Sequence, residues 1–153
     1  MNIIKVTQDT LKHAVGMGCL LFPHDTYDEL FDIYAKCLAT GREFLFLCEA
    51  EDVYIGYCHI SIRRDYVNGT NSSPVLFLEA IYVHKEARGR GVARAFVDHM
   101  EEMARELGIK EMASDCLLEN TDSEAFHKAC GFREDERVIC FVKEVSLVRD
   151  GNE

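Results

Sequence analysis

An apolar run, Val75-Leu76-Phe77-Leu78-Glu79-Ala80-Ile81-Tyr82-Val83, leads through a short loop into Arg88-Gly89-Arg90-Gly91-Val92-Ala93, an Arg-x-x-Gly-x-Ala turn that opens a helix. The first N–H groups of a helix have no intrahelical acceptor and its dipole favours negative charge there. Glycines also remove the Cβ atoms that would hold phosphate oxygens away. Arg88 and Arg90 add cationic donors suited to phosphate. The chemistry implied is pyrophosphate binding. A P-loop is excluded because no Gly-Lys-Ser/Thr ends the turn. A dinucleotide fingerprint fits poorly, because Arg94 stands where a third small residue is needed. The plain alternative is a glycine turn that only joins strand to helix.

Two carboxylates sit where solvation alone would not put them. Glu79 lies inside the apolar run, where a carboxylate needs a cation or hydrogen-bond donors. It either pairs with Arg63 or Arg64 on a neighbouring strand or faces a cleft and binds a substrate ammonium. Asp115 ends another apolar run, and strand C-termini are where α/β sheets place ligands. The other reading makes it a loop cap. His127, in Phe126-His127-Lys128, could act as an acid near neutral pH or could simply pack. Glu134, Asp135 and Glu136 form an acidic cluster that is also read as a solvated loop.

Composition narrows the partners. The chain has 153 residues and 48% hydrophobic content, which suits one globular domain over residues 1–153 without disulfide support. Formal charge is −10, from 27 acidic against 17 basic residues. This argues against nucleic acid and suits cationic ligands. No signal-peptide pattern and no membrane-length apolar run is present, which predicts a soluble cytoplasmic protein with no membrane partner. Seven cysteines, odd in number and without a Cys-x-x-Cys pair, read as reduced core residues. His127 and Cys130 lack a second ligand pair, so no metal is expected.

The elements that must position these groups follow from periodicity. Helices are predicted over residues 8–21 and 25–38, separated at Pro23. Strands follow at Glu43–Ala50 and Val53–Arg63, joined by Glu51-Asp52, and then at Val75–His84 after an Asn68-Gly69 turn. The helix after the glycine turn carries Phe96, Met100, Met103 and Leu107 as one apolar stripe. A strand at Ile109–Cys116, a helix with Thr121-Asp122-Ser123-Glu124 as a capping box and Gly131 at its end, and a strand at Val138–Val145 complete the order. The fold class is α/β, a three-layer α/β/α sandwich around a mixed, mostly antiparallel sheet.

This order, together with Arg88-x-x-Gly91-x-Ala93, resembles the GNAT superfamily of acetyl-CoA-dependent N-acetyltransferases. The segments at residues 61–69, 72–79, 111–115 and 119–121 are similar to those of aminoglycoside 6'-N-acetyltransferases, over roughly the C-terminal two-thirds of the chain. The resemblance implies that acetyl-CoA is the cosubstrate. Its thioester and pantetheine would lie along Ile81, Tyr82 and Val83, its pyrophosphate on Gly89, Arg90, Gly91, Val92, Ala93 and Arg94, with Asn120 as a further contact. It also implies an aminoglycoside at Phe22, Tyr66, Glu79, Asp115 and Glu136, and a homodimer. Phe22 stands where relatives often carry tryptophan, and His127 where many carry tyrosine as the general acid.

The expected reaction is direct attack of an acceptor amine on the thioester. Glu79 or Asp115 would take the amine proton through water, and a backbone N–H near Val83 would meet the oxyanion. Cys116 has no obvious base beside it, so a covalent route is not indicated. Two alternatives stay open on the residues alone. One is a GNAT enzyme for another small amine or polyamine, and the other is a non-catalytic module that binds acyl-CoA or the drug.

Overall fold

The computed structural model describes residues 1–149 and 151. A five-stranded sheet runs in the order β1 (Asn2–Lys5), β2 (Glu43–Ala50), β3 (Val53–Arg63), β4 (Val75–Val83) and β5 (Met112–Ser114). The first three pairings are antiparallel and β4–β5 is parallel. Helices α1 (Leu11–Leu21) and α2 (Tyr27–Thr40) cover one face, while α3 (Val92–Leu107) and α4 (Thr121–Ala129) lie on the other. No helix among the described residues is long and apolar enough to cross a membrane.

Each face has its own core. Leu11, Val15, Leu30 and Tyr34 pack with Leu45, Leu47 and Tyr57 on the first. Phe96 and Met100 pack with Cys58, Ile60, Leu76 and Leu78 on the second. Burial of side chains this size supplies roughly 1.5–3 kcal/mol each, which is the main force holding the layers. Gly56 is required by the close approach of the β4 backbone, with α3 packed behind it. A Cβ there would sit 2.8 Å from the Tyr82 carbonyl and press on Phe96 and Val92.

Several sequence-based expectations change. The chain opens with a strand, because Ile3 and Ile4 pair with Cys48 and Leu47 along β2. Helix α2 begins at a full capping box, Thr26 with Glu29. The cap of α4 is Asn120, whose Oδ1 accepts from Ser123 N at 3.1 Å, so Thr121 is the first helical residue and not the cap. In α3 the apolar stripe closes early, since Leu107 in the last turn is half exposed. Cys37, Cys48 and Cys58 are buried, but Cys116 and Cys140 are exposed and all seven are free thiols. The strand at Ile109–Cys116 contracts to Met112–Ser114, the three residues that pair with Leu76, Phe77 and Leu78 of β4. Val138–Val145 forms no ladder with any described residue.

Candidate active site

The sheet forks at its centre. β4 and β5 pair only at Leu76–Met112, Phe77–Ala113 and Leu78–Ser114, whereas β4 continues to Val83 beside β3. His84 N donates to the Ile55 carbonyl, so alternation turns the N–H groups of Ile81 and Val83 away from β3 and into the fork. The Val83 carbonyl, on the same side, accepts from Arg88 Nε at 3.0 Å. That bond fixes the approach to the glycine turn.

At the turn, Gly89 and Gly91 have φ of 75° and 80°, which disfavours a residue with a Cβ. A Cβ at either would meet nothing within 4 Å. Gly91 is the N-cap of α3 and offers no side chain, and the first intrahelical bond is Ala95 N to the Gly91 carbonyl at 2.9 Å. The N–H groups of Val92, Ala93 and Arg94 therefore have no backbone acceptor among the described residues. An open, uncapped helix N-terminus of this kind is an anion site, and it fits a pyrophosphate. Arg94 contributes differently from Arg88: its guanidinium donates to the Ala129 carbonyl and ties α3 to α4. Asn120, at the start of α4, has its side-chain oxygen engaged as the cap.

Of the residues considered for the acceptor, Tyr66, Asp115 and Glu136 line one groove of about 870 Å3 that runs along β5. All three are exposed. Glu79 does not line it. Its carboxylate takes Arg63 Nε at 2.9 Å, Arg63 Nη2 at 2.8 Å and Ser61 Oγ at 2.6 Å, so the ion pair with Arg63 is formed and Arg64 is not its partner. Arg63 in turn lies 3.5 Å over the Phe77 ring and does line the groove. Phe22, the C-cap of α1, is outside that groove. Within the acidic loop, Glu134 binds Lys128 and Arg137, which hold its carboxyl down at about 2, and Asp135 binds Arg133. Asp115 and Glu136 have no ion pair among the described residues, so the groove presents two uncompensated carboxylates.

His127 is neither a free surface residue nor a core filler. Its Nδ1 lies 2.6 Å from the Ser123 carbonyl and its Nε2 lies 2.8 Å from Ser114 Oγ, at the last rung before the fork. A carbonyl only accepts, so Nδ1 carries the proton and Nε2 faces Ser114. Ser114 Oγ also lies 3.1 Å from the Leu78 carbonyl. Sequence reasoning missed Ser114, and no local signal pairs it with a histidine on another element.

Cys37, Glu43 and His59 are the described residues whose possible metal-ligand atoms converge, within 4.8 Å of one another. Burial pushes the Cys37 thiol up to about 12, and His59 Nε2 lies 3.1 Å from Glu43 Oε1. Burial also lowers the imidazole's pKa, which outweighs the pull of Glu43 and Glu79. The geometric ion pair is therefore best described as a neutral imidazole donating to a carboxylate. The trio is a hydrogen-bonded cluster and includes neither His127 nor Cys130.

The forked sheet and the uncapped glycine turn agree with the kinship of the chain. Residues 10–132 match the acetyltransferase (GNAT) family. The chain belongs to this family. An aminoglycoside N(6')-acetyltransferase type 1 from Salmonella enteritidis is 40% identical over 150 residues, covering 94% of this chain and 99% of that protein. One of the same name from Acinetobacter baumannii is 37% identical over 95% and 99%. Among solved structures, AAC(6')-Iy in complex with the bisubstrate analog CoA-S-monomethyl-acetylneamine superposes with a TM-score of 0.90 at 38% identity, over 94% of this chain and 98% of that one. AAC(6')-Ih from Acinetobacter baumannii gives 0.90 at 36%, over 95% and 99%. As a member of this family the protein is an acetyl-CoA-dependent acetyltransferase.

Proposed function

We propose that this GNAT enzyme transfers the acetyl group of acetyl-CoA to the 6'-amino group of aminoglycosides and so confers resistance to them. The observation that carries the reading is the groove that Asp115 and Glu136, both without ion pairs among the described residues, line together with the exposed Tyr66 ring. Uncompensated carboxylates favour a polycationic acceptor, and an aromatic face suits a sugar. The relatives named above support the same acceptor.

In this mechanism the uncapped N–H groups of Val92, Ala93 and Arg94, with Gly89, Arg90 and Gly91, hold the pyrophosphate. Ile81, Tyr82 and Val83 line the pantetheine arm, and Asn120 contacts the cofactor from the start of α4. The Val83 N–H, turned into the fork, donates to the oxyanion as the amine attacks. Asp115 takes the amine proton through water, while Glu79, shared with Arg63, and Phe22 help to orient the acceptor. In its doubly protonated form His127 gives its Nε2 proton to Ser114 Oγ as the Ser114 hydroxyl proton moves to the departing thiolate, which leaves the ring neutral with its proton on Nδ1. The reaction takes place in the cytoplasm, with residues 1–153 acting as one domain and the chain as a homodimer.

Release of thiol from acetyl-CoA, measured with a panel of amines, tests the assignment. Turnover is expected with 6'-amino aminoglycosides and not with their 6'-hydroxyl counterparts, polyamines or peptides. Equal use of 6'-amino and 6'-hydroxyl compounds overturns the regiochemistry. Preference for a polyamine overturns the acceptor.

A further inference from the structure

We infer that Cys37, Glu43 and His59 form a zinc site that ties the end of α2 to the sheet, apart from the glycine turn and the acceptor groove. Their possible ligand atoms lie within 4.8 Å of one another, and no second group of this kind converges among the described residues. None of the three lines the groove of about 870 Å3. The ion is therefore not a cofactor of the transfer, and without it the trio is the hydrogen-bonded cluster described above.

The chain is built locally to bring the three together. Cys37 lies in the last turn of α2, and Gly41, at φ 64°, ends that helix in the left-handed region. Thr40 Oγ1 donates to the Cys37 carbonyl and accepts from the N–H groups of Arg42 and Glu43, each at 3.2 Å. This turn sets Glu43 at the start of β2 beside Cys37. On β3, His59 pairs with Leu45 while Ser61 pairs with Glu43, which makes His59 and Glu43 diagonal neighbours on one face of the sheet. Three elements thus contribute one ligand each.

The distances and donor types suit zinc. His59 Nε2 lies 3.8 Å from Cys37 Sγ and 3.1 Å from Glu43 Oε1. A tetrahedral ion with Zn–S about 2.3 Å and Zn–N and Zn–O about 2.0–2.2 Å spaces its ligand atoms roughly 3.3–3.6 Å apart. The two separations bracket that range, so an ion fits with small side-chain shifts. One ring nitrogen has a single bond to give, yet a thiol and a carboxylate both face it. An ion at their common centre satisfies all three. Sulfur and nitrogen donors select zinc over magnesium and calcium, which take oxygen ligands.

Charge and access agree with this occupant. Thiolate and carboxylate bring two negative charges and the imidazole none, so a bound Zn2+ is neutralised within the site. On binding, the thiol gives its proton to solvent, and the imidazole proton moves from Nε2 to Nδ1 to free the ligating lone pair. Cys37 is 2% exposed and the His59 side chain 12%, whereas the Glu43 side chain is 37% exposed. The ion therefore enters past Glu43, and water takes the fourth position.

Zinc titration by calorimetry tests the inference, on the full chain after chelator treatment and with the exposed thiols removed by Cys116→Ala/Cys140→Ala. One Zn2+ per chain is expected, with no binding of Mg2+ or Ca2+. Co2+ in place of zinc should give a thiolate-to-metal charge-transfer band, which Cys37→Ser should abolish. Glu43→Gln, at the ligand nearest solvent, should weaken zinc affinity by at least about tenfold. Zinc should raise the melting temperature of the chain and leave that of Cys37→Ser unchanged. Both variants should keep acetyl-CoA affinity as a sign of folding, and if Cys37→Ser fails to fold, Glu43→Gln decides. Absence of zinc binding, or an affinity that the variants leave unchanged, overturns the site.

Discussion

Arg63 grips Glu79 through both carboxylate oxygens, at 2.9 and 2.8 Å, while its guanidinium lies on the Phe77 ring. A substrate ammonium approaching Glu79 must share the carboxylate with that cation, so the two residues should act in opposite directions on the acceptor. Glu79→Gln is expected to raise aminoglycoside KM about tenfold and Arg63→Gln to lower it severalfold, neither changing acetyl-CoA affinity by calorimetry. Parallel losses in both variants would make the pair a structural clamp.

Asp115 and Glu136 predict the salt response. Surface charges are screened over roughly 8–10 Å at physiological ionic strength, so capture of a polycation should weaken as salt rises. The double change Asp115→Asn/Glu136→Gln should lower kcat/KM and flatten its dependence on salt. Identical slopes in parent and variant would move the acceptor out of this groove.

The hydrogen bonds of His127 to the Ser123 carbonyl and to Ser114 hold the ring in one orientation toward the fork. If this pair delivers the proton to the thiolate, His127→Gln and Ser114→Ala should each reduce kcat about 100-fold, and the double variant should be little worse, as for groups that act as a unit. Losses confined to thermal stability, with kcat kept, would make the pair a brace between β5 and α4.

Gly91 separates backbone from ligand effects. Its φ of 80° is open to Asn but strained for a branched residue, and a Cβ meets no protein atom. Gly91→Asn should therefore fold with a melting temperature within a few degrees of the parent yet lose acetyl-CoA affinity, and Gly91→Val should lose both. Undiminished affinity in folded Gly91→Asn would remove the pyrophosphate from this helix end.

What the sequence carried was the part encoded in neighbouring residues. The glycine turn, the amphipathic α3 and the β2–β3 hairpin each follow from periodicity and turn chemistry within a few residues. The choice between Arg63 and Arg64 for Glu79 depends on strand facing: Ser61 and Arg63, two residues apart on β3, reach the same carboxylate. Ser114 and His127 meet only because α4 folds back over β5, which no local spacing encodes. Val138–Val145 has the alternation of a strand, but a strand needs a neighbour, and none of the described residues supplies one. The Thr26–Glu29 capping box is a local signal, whereas the α4 cap stands at Asn120, one residue before the Thr121 that the Thr-x-x-Glu pattern favours.

His59 sets an acid limit on the fold. Burial against α2 is the largest influence on its ring and keeps it neutral. Glu43 and Glu79 oppose that effect, and Arg63 adds to it. In the unfolded chain the imidazole recovers its ordinary pKa near 6.5. Below that pH the unfolded state binds a proton the folded state resists, so this contribution to stability is present above about pH 6.5 and declines as pH falls. Denaturant unfolding of the parent between pH 7.5 and 5 is expected to show that decline. His59→Gln, which keeps a donor for Glu43 but cannot titrate, should be less stable at pH 7.5 and should flatten the profile. A variant profile parallel to that of the parent would assign the acid sensitivity to the carboxylates instead.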